Sequence, residues 1–153
     1  MTLRLQDKTI LITGAARRVG AETARVLHAE GASLALHYRK STDAAQALVA
    51  ELNAARPGSA LAFQADLLET EHLPRLVADV VEHFGRLDAL VNNASSFHAT
   101  LIGNIGERDW DDLIGTNLKA PLFLSQAAAP HLAAARGAIV NITDIHDERP
   151  LKN

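Results

Sequence analysis

Five short aliphatic runs alternate with longer helical stretches along this chain, and this alternation limits the folds that it can adopt. The predicted strands are residues 8–13, 33–38, 60–66, 87–94 and 137–143. Strands that alternate with helices predict a parallel sheet, because right-handed crossovers place the helices on both of its faces. We therefore expect a single doubly wound α/β domain over residues 1–153.

The intervening segments have the spacing and the end signals of helices. The predicted helices are residues 18–30, 42–55, 70–84 and 107–135, each with approximate ends. Gly31 and Gly85 end the first and third of them, because glycine readily adopts the left-handed conformation that closes a helix. Pro121 and Pro130 predict an interruption or a bend in the last region, since proline removes a backbone donor.

The composition is that of an ordinary globular protein, with 48% hydrophobic residues, 22% charged residues and a net charge of −3. This balance gives no indication of a nucleic-acid or membrane partner. The chain has no cysteine, and its seven histidines lack the spacing of metal ligands. From this we expect no metal site. Because we find neither a signal peptide nor a long apolar span, we also expect a cytoplasmic protein.

The segment TGAARRVG, residues 13–20, connects the first predicted strand to the first helix. Gly14 allows a tight turn there, and Gly20 allows the helix to pack closely. The free N–H groups of a helix N-terminus attract a phosphate, although such a junction is about as often purely structural. The spacing G-x-G-x-x-G is absent, and Arg17 and Arg18 stand in the loop instead.

The second predicted strand ends in HYRKS. In a dinucleotide-binding fold this strand end meets the adenosine ribose, where an acidic residue selects an unphosphorylated 2′-hydroxyl. Arg39, Lys40 and Ser41 stand here instead, and all three side chains can bind a 2′-phosphate. Together with Arg17 and Arg18 they predict NADP(H) as the cofactor. The alternative is a solvated cluster of surface cations.

The chain resembles the short-chain dehydrogenase/reductase family over essentially its whole length. The resemblance is carried by Thr13, Gly14, Gly20, Asp66, Leu67, Asn92, Asn93, Ala94, Asn117 and the run IVNIT. It implies a Rossmann-like oxidoreductase in which Asp66 binds the adenine amine; without it, Asp66 would be interpreted as a helix cap. The predicted cofactor site comprises Gly14, Arg17, Arg18, Val19, Gly20, His37, Tyr38, Arg39, Lys40, Ser41, Asp66, Leu67, Asn93, Ala94 and Ser95.

A narrower resemblance is to the pteridine reductase branch of that family. It is carried by TGAARRVG, HYRKS, NNASSF and by Asp144, which stands where the family usually has a catalytic serine. Arg18 replaces a glycine of the broader family, as it does in this branch. The resemblance implies NADPH-dependent reduction of a pterin of the dihydrobiopterin, dihydromonapterin or dihydrofolate type.

Ser95, Phe97 and Asp144 are the predicted substrate-binding residues. They follow the fourth and fifth strands at the carboxyl edge, where open α/β sheets bind ligands. Phe97 is expected to stack on a flat heterocycle and Ser95 to hydrogen-bond its edge; the alternative is a phenylalanine packed under a loop. Asp144 is expected to bind the amino and ring N–H groups of a pterin and to pass a proton through a phenol. Alternatively, it only caps a turn.

Asn117 is the second predicted catalytic residue. Its amide can hold a water against a local break in a helix, and the resemblance implies a role in a proton relay; a plain surface asparagine is the alternative. His98 is expected to border the substrate mouth. The acidic segments 109–112 and 147–150 are interpreted as solvated turns.

The proton donor of the resembling family, Tyr-x-x-x-Lys, is absent from these residues. Tyr38 is the only tyrosine, and Thr42 stands four residues after it. The resemblance places the motif just beyond Asn153, so we interpret the sequence as the N-terminal portion of a longer reductase, inactive by itself and a homotetramer when complete. The alternatives are a complete 153-residue protein, a non-catalytic NADP-binding module, and a carbonyl or 3-ketoacyl reductase of the same family.

Overall fold

The computed structural model describes residues 3–144 and 149 of the chain. Its strands are β1 (Thr9–Ile12), β2 (Ser33–Tyr38), β3 (Ala60–Gln64), β4 (Ala89–Asn92) and β5 (Ala138–Asn141). They form one parallel sheet in the order β3-β2-β1-β4-β5. This is the doubly wound order, in which the direction of strand addition reverses between β1 and β4. The predicted Rossmann-like fold class is confirmed.

Helices cover both faces of the sheet. They are α1 (Arg18–Ala29), α2 (Thr42–Ala55), α3 (Leu73–Phe84), α4 (Glu107–Ile114) and α5 (Ala120–Ala135). A 3-10 turn, Thr70–His72, precedes α3, and a π-helical segment, Gly115–Lys119, joins α4 to α5. None of the helices within residues 3–144 combines the length and the apolar character that crossing a membrane requires.

The long helical region is interrupted near the first of its two prolines. The break is the π segment Gly115–Lys119, whereas α5 continues through Pro130. Pro121 lies in the first turn of α5, where its missing N–H leaves no hydrogen bond unmade. The predicted interruption is therefore confirmed near Pro121, whereas no break occurs at Pro130.

The acidic segment 109–112 belongs to α4 and not to a turn, so that interpretation was wrong. Asp109 accepts a hydrogen bond from the Gly106 N–H at 2.9 Å and thereby caps the helix. Aspartate is common both in turns and in the first turn of a helix, where its charge opposes the helix dipole, so composition alone does not separate the two. The second acidic segment, 147–150, lies outside the described residues except for Arg149.

The core consists of two aliphatic layers, one on each face of the sheet. Leu11 and Leu90 pack with α3 and α5, whereas Ile10 and Ile12 pack with α1 and α2. Successive side chains of a strand point to opposite faces, so a strand covered on both faces is aliphatic throughout. The sheet is therefore a rigid platform for the loops at its carboxyl edge.

The strand register brings three of those loops together. Ile12 in β1 pairs with Leu36 in β2 and with Val91 in β4. The carboxyl ends of these three strands consequently lie at one edge. Because the strand order reverses between β1 and β4, a crevice for ligands is expected above this pair.

Asp88 connects β1 and β4 at the opposite edge of the sheet, where these strands begin. Its side chain is only 6% exposed and lies 3.0 Å from Lys8 Nζ and 2.6 Å from Arg86 Nη2. The Thr9 N–H also donates to it, at 3.0 Å. Burial by itself would raise the pKa of Asp88, but the hydrogen bonds from Arg86, Thr9 and Lys8 outweigh it and lower the pKa to about 2.

We expect Asp88→Asn to lower the free energy of unfolding at pH 7 by about 2 kcal/mol, because the native state loses a carboxylate that it holds ionised. The stabilisation is present above the ordinary carboxyl pKa, about 4, and is lost as the pH falls through about 2. Urea denaturation measures the effect. Glu22→Gln removes an exposed carboxylate paired with Arg25 and should change stability little. Equal losses in the two variants would contradict the role of Asp88.

Candidate functional site

The loop after β1 is hydrogen-bonded to the end of β4. The buried Thr13 hydroxyl accepts from the N–H groups of Asn93 and Ala94, each at 2.9 Å. In return the Asn93 side-chain amide donates to the carbonyls of Thr13 at 2.8 Å and Gly14 at 3.2 Å. Asn93 and Ala94 therefore bind the loop in this structure, and the two loops form one continuous surface at the crevice.

Gly14 and Gly20 allow these backbones to approach each other. Gly14 has a φ of +62°, and a Cβ there would lie 2.9 Å from Ala94 Cα. A Cβ at Gly20 would lie 2.4 Å from the Gly14 carbonyl oxygen and 2.7 Å from Asn93 Nδ2. Both positions thus require glycine, and backbone groups form the floor beside the N-terminus of α1.

Arg17, Arg18 and Val19 lead from this floor into α1, and all three are exposed. Arg18 has a φ of +51°, in the left-handed region that favours glycine. A non-glycine residue pays about 1 kcal/mol for this conformation. Residues in strained conformations cluster at functional sites, so the strain is consistent with a use for the Arg18 side chain at the entrance of the crevice.

His37 connects the glycine loop to the neighbouring strands. Its side chain is 2% exposed. Nδ1 accepts from the Gly14 N–H at 3.2 Å, and Nε2 lies 3.1 Å from the Ala65 carbonyl. The imidazole must therefore be neutral with its proton on Nε2. Both ring nitrogens are bonded within the protein, so the imidazole positions the loop, and a contact between His37 and the cofactor stays a prediction.

Burial lowers the pKa of His37 to about 4, against the opposing influence of the Ala65 carbonyl and the Asp66 carboxylate. Because the unfolded chain takes up this proton near pH 6.5, the free energy of unfolding should fall by about 3 kcal/mol as the pH drops from 7 to 4. His37→Asn keeps an acceptor for Gly14 without titrating and should flatten this dependence. Denaturation curves at several pH values measure it; an unchanged slope would contradict the assignment.

The end of β2 presents cations that are partly engaged. Arg39 Nε lies 3.2 Å from Asp66 Oδ2, and both side chains are partly exposed. The other oxygen of Asp66 accepts from the Leu68 N–H at 3.1 Å. Asp66 thus caps the turn after β3 and also orients Arg39. Lys40 is exposed beside this pair.

Three further residues of the predicted cofactor site differ in their exposure. Tyr38 is 7% exposed, and Leu67, at 6%, packs in the core layer under α3 and α5. The Leu67 side chain is therefore part of the core, and only its backbone could contact the cofactor. Ser41 is half-buried and immediately precedes α2.

The loop after β4 carries the predicted substrate contacts. Phe97 is 72% exposed and Ser95 is also exposed, so Phe97 is not packed under a loop. Asn117, in the π segment, accepts from the Ser96 N–H at 3.0 Å and donates to the Ser96 carbonyl at 2.8 Å. The expected local break in the helix is thus present at Asn117, and its amide holds the loop that bears Phe97.

Asp144 follows β5 at the same edge. It is exposed and stands three residues after Asn141, the last residue of that strand. The Ile142 N–H still donates to the Asn92 carbonyl at 2.9 Å, and Asn92 Nδ2 donates to Asn141 Oδ1 at 2.8 Å. Hydrogen bonds between β4 and β5 therefore continue to Ile142 and place Asp144 at the same sheet edge as the loop after β4.

Sequence reasoning missed several residues that build this site. Thr13 belongs to a motif of the resembling family but is given no role by the sequence, although a buried polar residue at the end of an aliphatic strand is itself a signal. Asp112, which accepts from the Ser96 hydroxyl, had no signal beyond its place in an acidic run. No cluster of potential metal ligands occurs among residues 3–144 and 149.

Several known proteins have sequences related to this chain. The family model for short chain dehydrogenases matches residues 8–152. The 3-oxoacyl-[acyl-carrier-protein] reductase FabG of Staphylococcus epidermidis is 37% identical over 140 residues, which are 91% of this chain and 57% of that protein. Pteridine reductase 1 of Leishmania tarentolae is 37% identical over 189 aligned residues, covering 99% of this chain and 65% of the relative.

A solved structure agrees at the level of the fold. It is a short chain dehydrogenase from Burkholderia cenocepacia J2315 in complex with NADP, with a TM-score of 0.91 and 39% identity. The match covers 97% of this chain and 60% of that one. The chain thus spans little more than half the length of several of its relatives. Together these similarities show that the chain belongs to the short-chain dehydrogenase family.

Proposed function

We propose that this chain binds NADP(H) and a pterin for the NADPH-dependent reduction of a dihydropterin. The observation that carries the proposal is the combination of Arg39 and Lys40 at the end of β2 with the exposed Phe97 on the loop after β4. The first pair suits a 2′-phosphate, and the aromatic ring suits a flat heterocycle. Both stand at the edge where doubly wound sheets bind ligands.

The glycine cradle fits a dinucleotide. Side chains are excluded at Gly14 and Gly20, so a pyrophosphate can approach the backbone N–H groups at the start of α1. Arg39 is held by Asp66, which reduces the conformational freedom that the guanidinium would lose on binding a phosphate. The solved relative that contains NADP supports the same assignment.

The substrate side of the proposal uses three residues. When bound, NADPH supplies a hydride to the carbon of a pterin C=N bond, whose nitrogen takes up a proton. Phe97 stacks the heterocycle, Ser95 binds its edge, and the Asp144 carboxylate accepts from its amino and ring N–H groups. Asn117 holds the loop that bears Phe97. The 153 residues contain no Tyr-x-x-x-Lys, so we assign binding and orientation to this chain and expect it to be inactive by itself.

A second candidate is reduction of a 3-ketoacyl thioester, which the identity to the Staphylococcus reductase favours. Two features of this chain favour the pterin. Phe97 exposes a ring that an aliphatic thioester would not need, and Asp144 is an acceptor for N–H groups that a ketone lacks. A non-catalytic NADP-binding module remains the alternative if neither substrate is reduced.

Parallel steady-state assays of the native protein, which here means the complete polypeptide as the organism makes it, test the proposal. NADPH oxidation is followed with dihydrobiopterin and with acetoacetyl-coenzyme A at equal concentrations. We expect kcat/KM for dihydrobiopterin to exceed that for the thioester by at least about tenfold, a difference of about 1.4 kcal/mol in transition-state stabilisation. The reverse preference would establish the second candidate. The expected homotetramer is a separate prediction, which the mass of the native protein in solution tests.

A further inference from the structure

We infer that Asp112 and Ser96, together with Asp109 and His98, form a clamp that fixes the loop carrying Phe97 before a substrate arrives. Asp112 is then a positioning residue: it acts on the flat substrate only through the loop that carries Phe97. This inference rests on the proposed function, because it concerns how that site presents Phe97. These four side chains together are called the clamp.

The first half of the clamp holds Ser96. Its hydroxyl donates to Asp112 Oδ2 in α4. Its backbone N–H and carbonyl are both bonded to the Asn117 amide, at 3.0 Å and 2.8 Å. The Ser96 side chain is thus bonded to α4, and the Ser96 backbone is bonded to the π segment that follows α4.

The second half holds His98, on the other side of Phe97. His98 Nε2 lies 2.8 Å from Asp109 Oδ1, and its Nδ1 lies 3.8 Å from Asp112 Oδ2. The remaining oxygen of Asp109 caps α4 by accepting from the Gly106 N–H at 2.9 Å. The start of α4 and the loop are therefore joined through a single carboxylate.

Phe97 is fixed by its neighbours and not by the core. Its own side chain is 72% exposed, so burial cannot hold it in place. Attachment of the residues on both sides restricts the backbone from which the ring projects. A ring that is already placed loses less conformational freedom when a ligand stacks on it, and the ligand consequently binds more tightly.

The contacts act together because they converge on three consecutive residues. Each carboxylate of the clamp is partly exposed, and an exposed ion pair contributes little by itself. Ser96 and Asp112 form one hydrogen bond, however, so removing Ser96 in addition to Asp112 should have no further effect. Non-additivity of this kind identifies a direct interaction.

Hydrogen exchange tests the clamp independently of activity. In the native protein, Asp112→Ala and Ser96→Ala should each speed amide exchange in residues 96–98 by about fivefold or more, since each loses a hydrogen bond to a charged group. Asp111→Ala is the matched control: it removes a neighbouring carboxylate of α4 that is exposed and makes none of these contacts. Equal exchange in Asp112→Ala, Ser96→Ala and the control would overturn the clamp.

Kinetics test its role toward the substrate. Asp112→Ala should raise KM for dihydrobiopterin about five- to tenfold and leave KM for NADPH unchanged, and the Ser96→Ala/Asp112→Ala double variant should be no worse. An unchanged KM for dihydrobiopterin in Asp112→Ala, or equal increases of KM for dihydrobiopterin and NADPH, would overturn the role of the clamp. Pterin turnover by the native protein would still support the proposed function in that case. Absence of pterin turnover in the native protein would instead contradict the proposed function and, with it, this substrate role.

Discussion

Replacing Asp144 by serine in the native protein is expected to lower kcat/KM for dihydrobiopterin by about 10²- to 10³-fold. A carboxylate can accept two hydrogen bonds from the amino and ring N–H groups of a pterin and strengthens them by its charge, whereas a hydroxyl offers weaker acceptors. The affinity for NADPH should not change, because the glycine cradle and the end of β2 remain intact. Steady-state kinetics at saturating NADPH measure the first effect, and calorimetric titration measures the second.

Serine is chosen because it separates the two interpretations of Asp144. Serine caps turns and helices about as well as aspartate does, so a purely structural Asp144 would tolerate it. Retained pterin turnover in Asp144→Ser would therefore contradict the substrate role. A loss of NADPH binding in the same variant would show that the damage is not specific to the substrate.

The double variant Arg39→Asp/Lys40→Ala should weaken NADPH binding about a hundredfold and NADH binding much less. The variant removes two cations and places a carboxylate where a 2′-phosphate would lie, and each charge-assisted hydrogen bond contributes about 1.5–3 kcal/mol. The affinity of each cofactor is measured by calorimetric titration at a fixed ionic strength, because these interactions are screened by salt.

The control must account for the ion pair that Arg39 forms with Asp66 at 3.2 Å. Arg75 in α3 forms a comparable exposed pair with Asp79 at 2.7 Å. Arg75→Asp breaks that pair and reverses the same charge away from the crevice, so it should leave the ratio of the two affinities unchanged. Equal losses of NADPH and NADH affinity in the double variant would contradict the phosphate assignment.

The strands could be located from the sequence, but most of their ends could not. The predicted strand 60–66 ends at Gln64 in the sheet, and the predicted strand 87–94 covers only Ala89–Asn92. Aliphatic composition continues into the loops because Ala65 and Ala94 still pack against the core. A strand ends where its partner ends, and that register depends on contacts far apart in the chain.

The break in the long helix illustrates the same limit. Prolines predict a break near Pro121 by a local rule, but they do not predict that Gly115–Lys119 is π-helical. A Cβ at Gly115 would lie 2.6 Å from Leu68 Cδ2, and Asn117 bonds the backbone of Ser96. Insertions of this kind occur at functional sites, where a helix is shaped by its neighbours.

In the candidate site, too, the features that follow local sequence patterns could be predicted and those that depend on tertiary contacts could not. The glycine loop and the cations after β2 follow local patterns, so the sequence located them. The roles of His37 and Thr13 depend on which strands are adjacent: His37 reaches Gly14 only because β1 and β2 pair. A buried histidine at a strand end therefore resembles a cofactor ligand in the sequence, although its imidazole holds the loop.

The central claim is that NADP(H) and a flat heterocycle share one crevice above β1 and β4. The most direct measurement is a calorimetric titration of dihydrobiopterin into the native protein, with and without saturating NADP⁺. If Phe97 stacks the heterocycle against a bound cofactor, dihydrobiopterin should bind at least about tenfold more tightly when NADP⁺ is present, a coupling of about 1.4 kcal/mol. Equal affinities in the two titrations would show that the sites are independent and would contradict the claim.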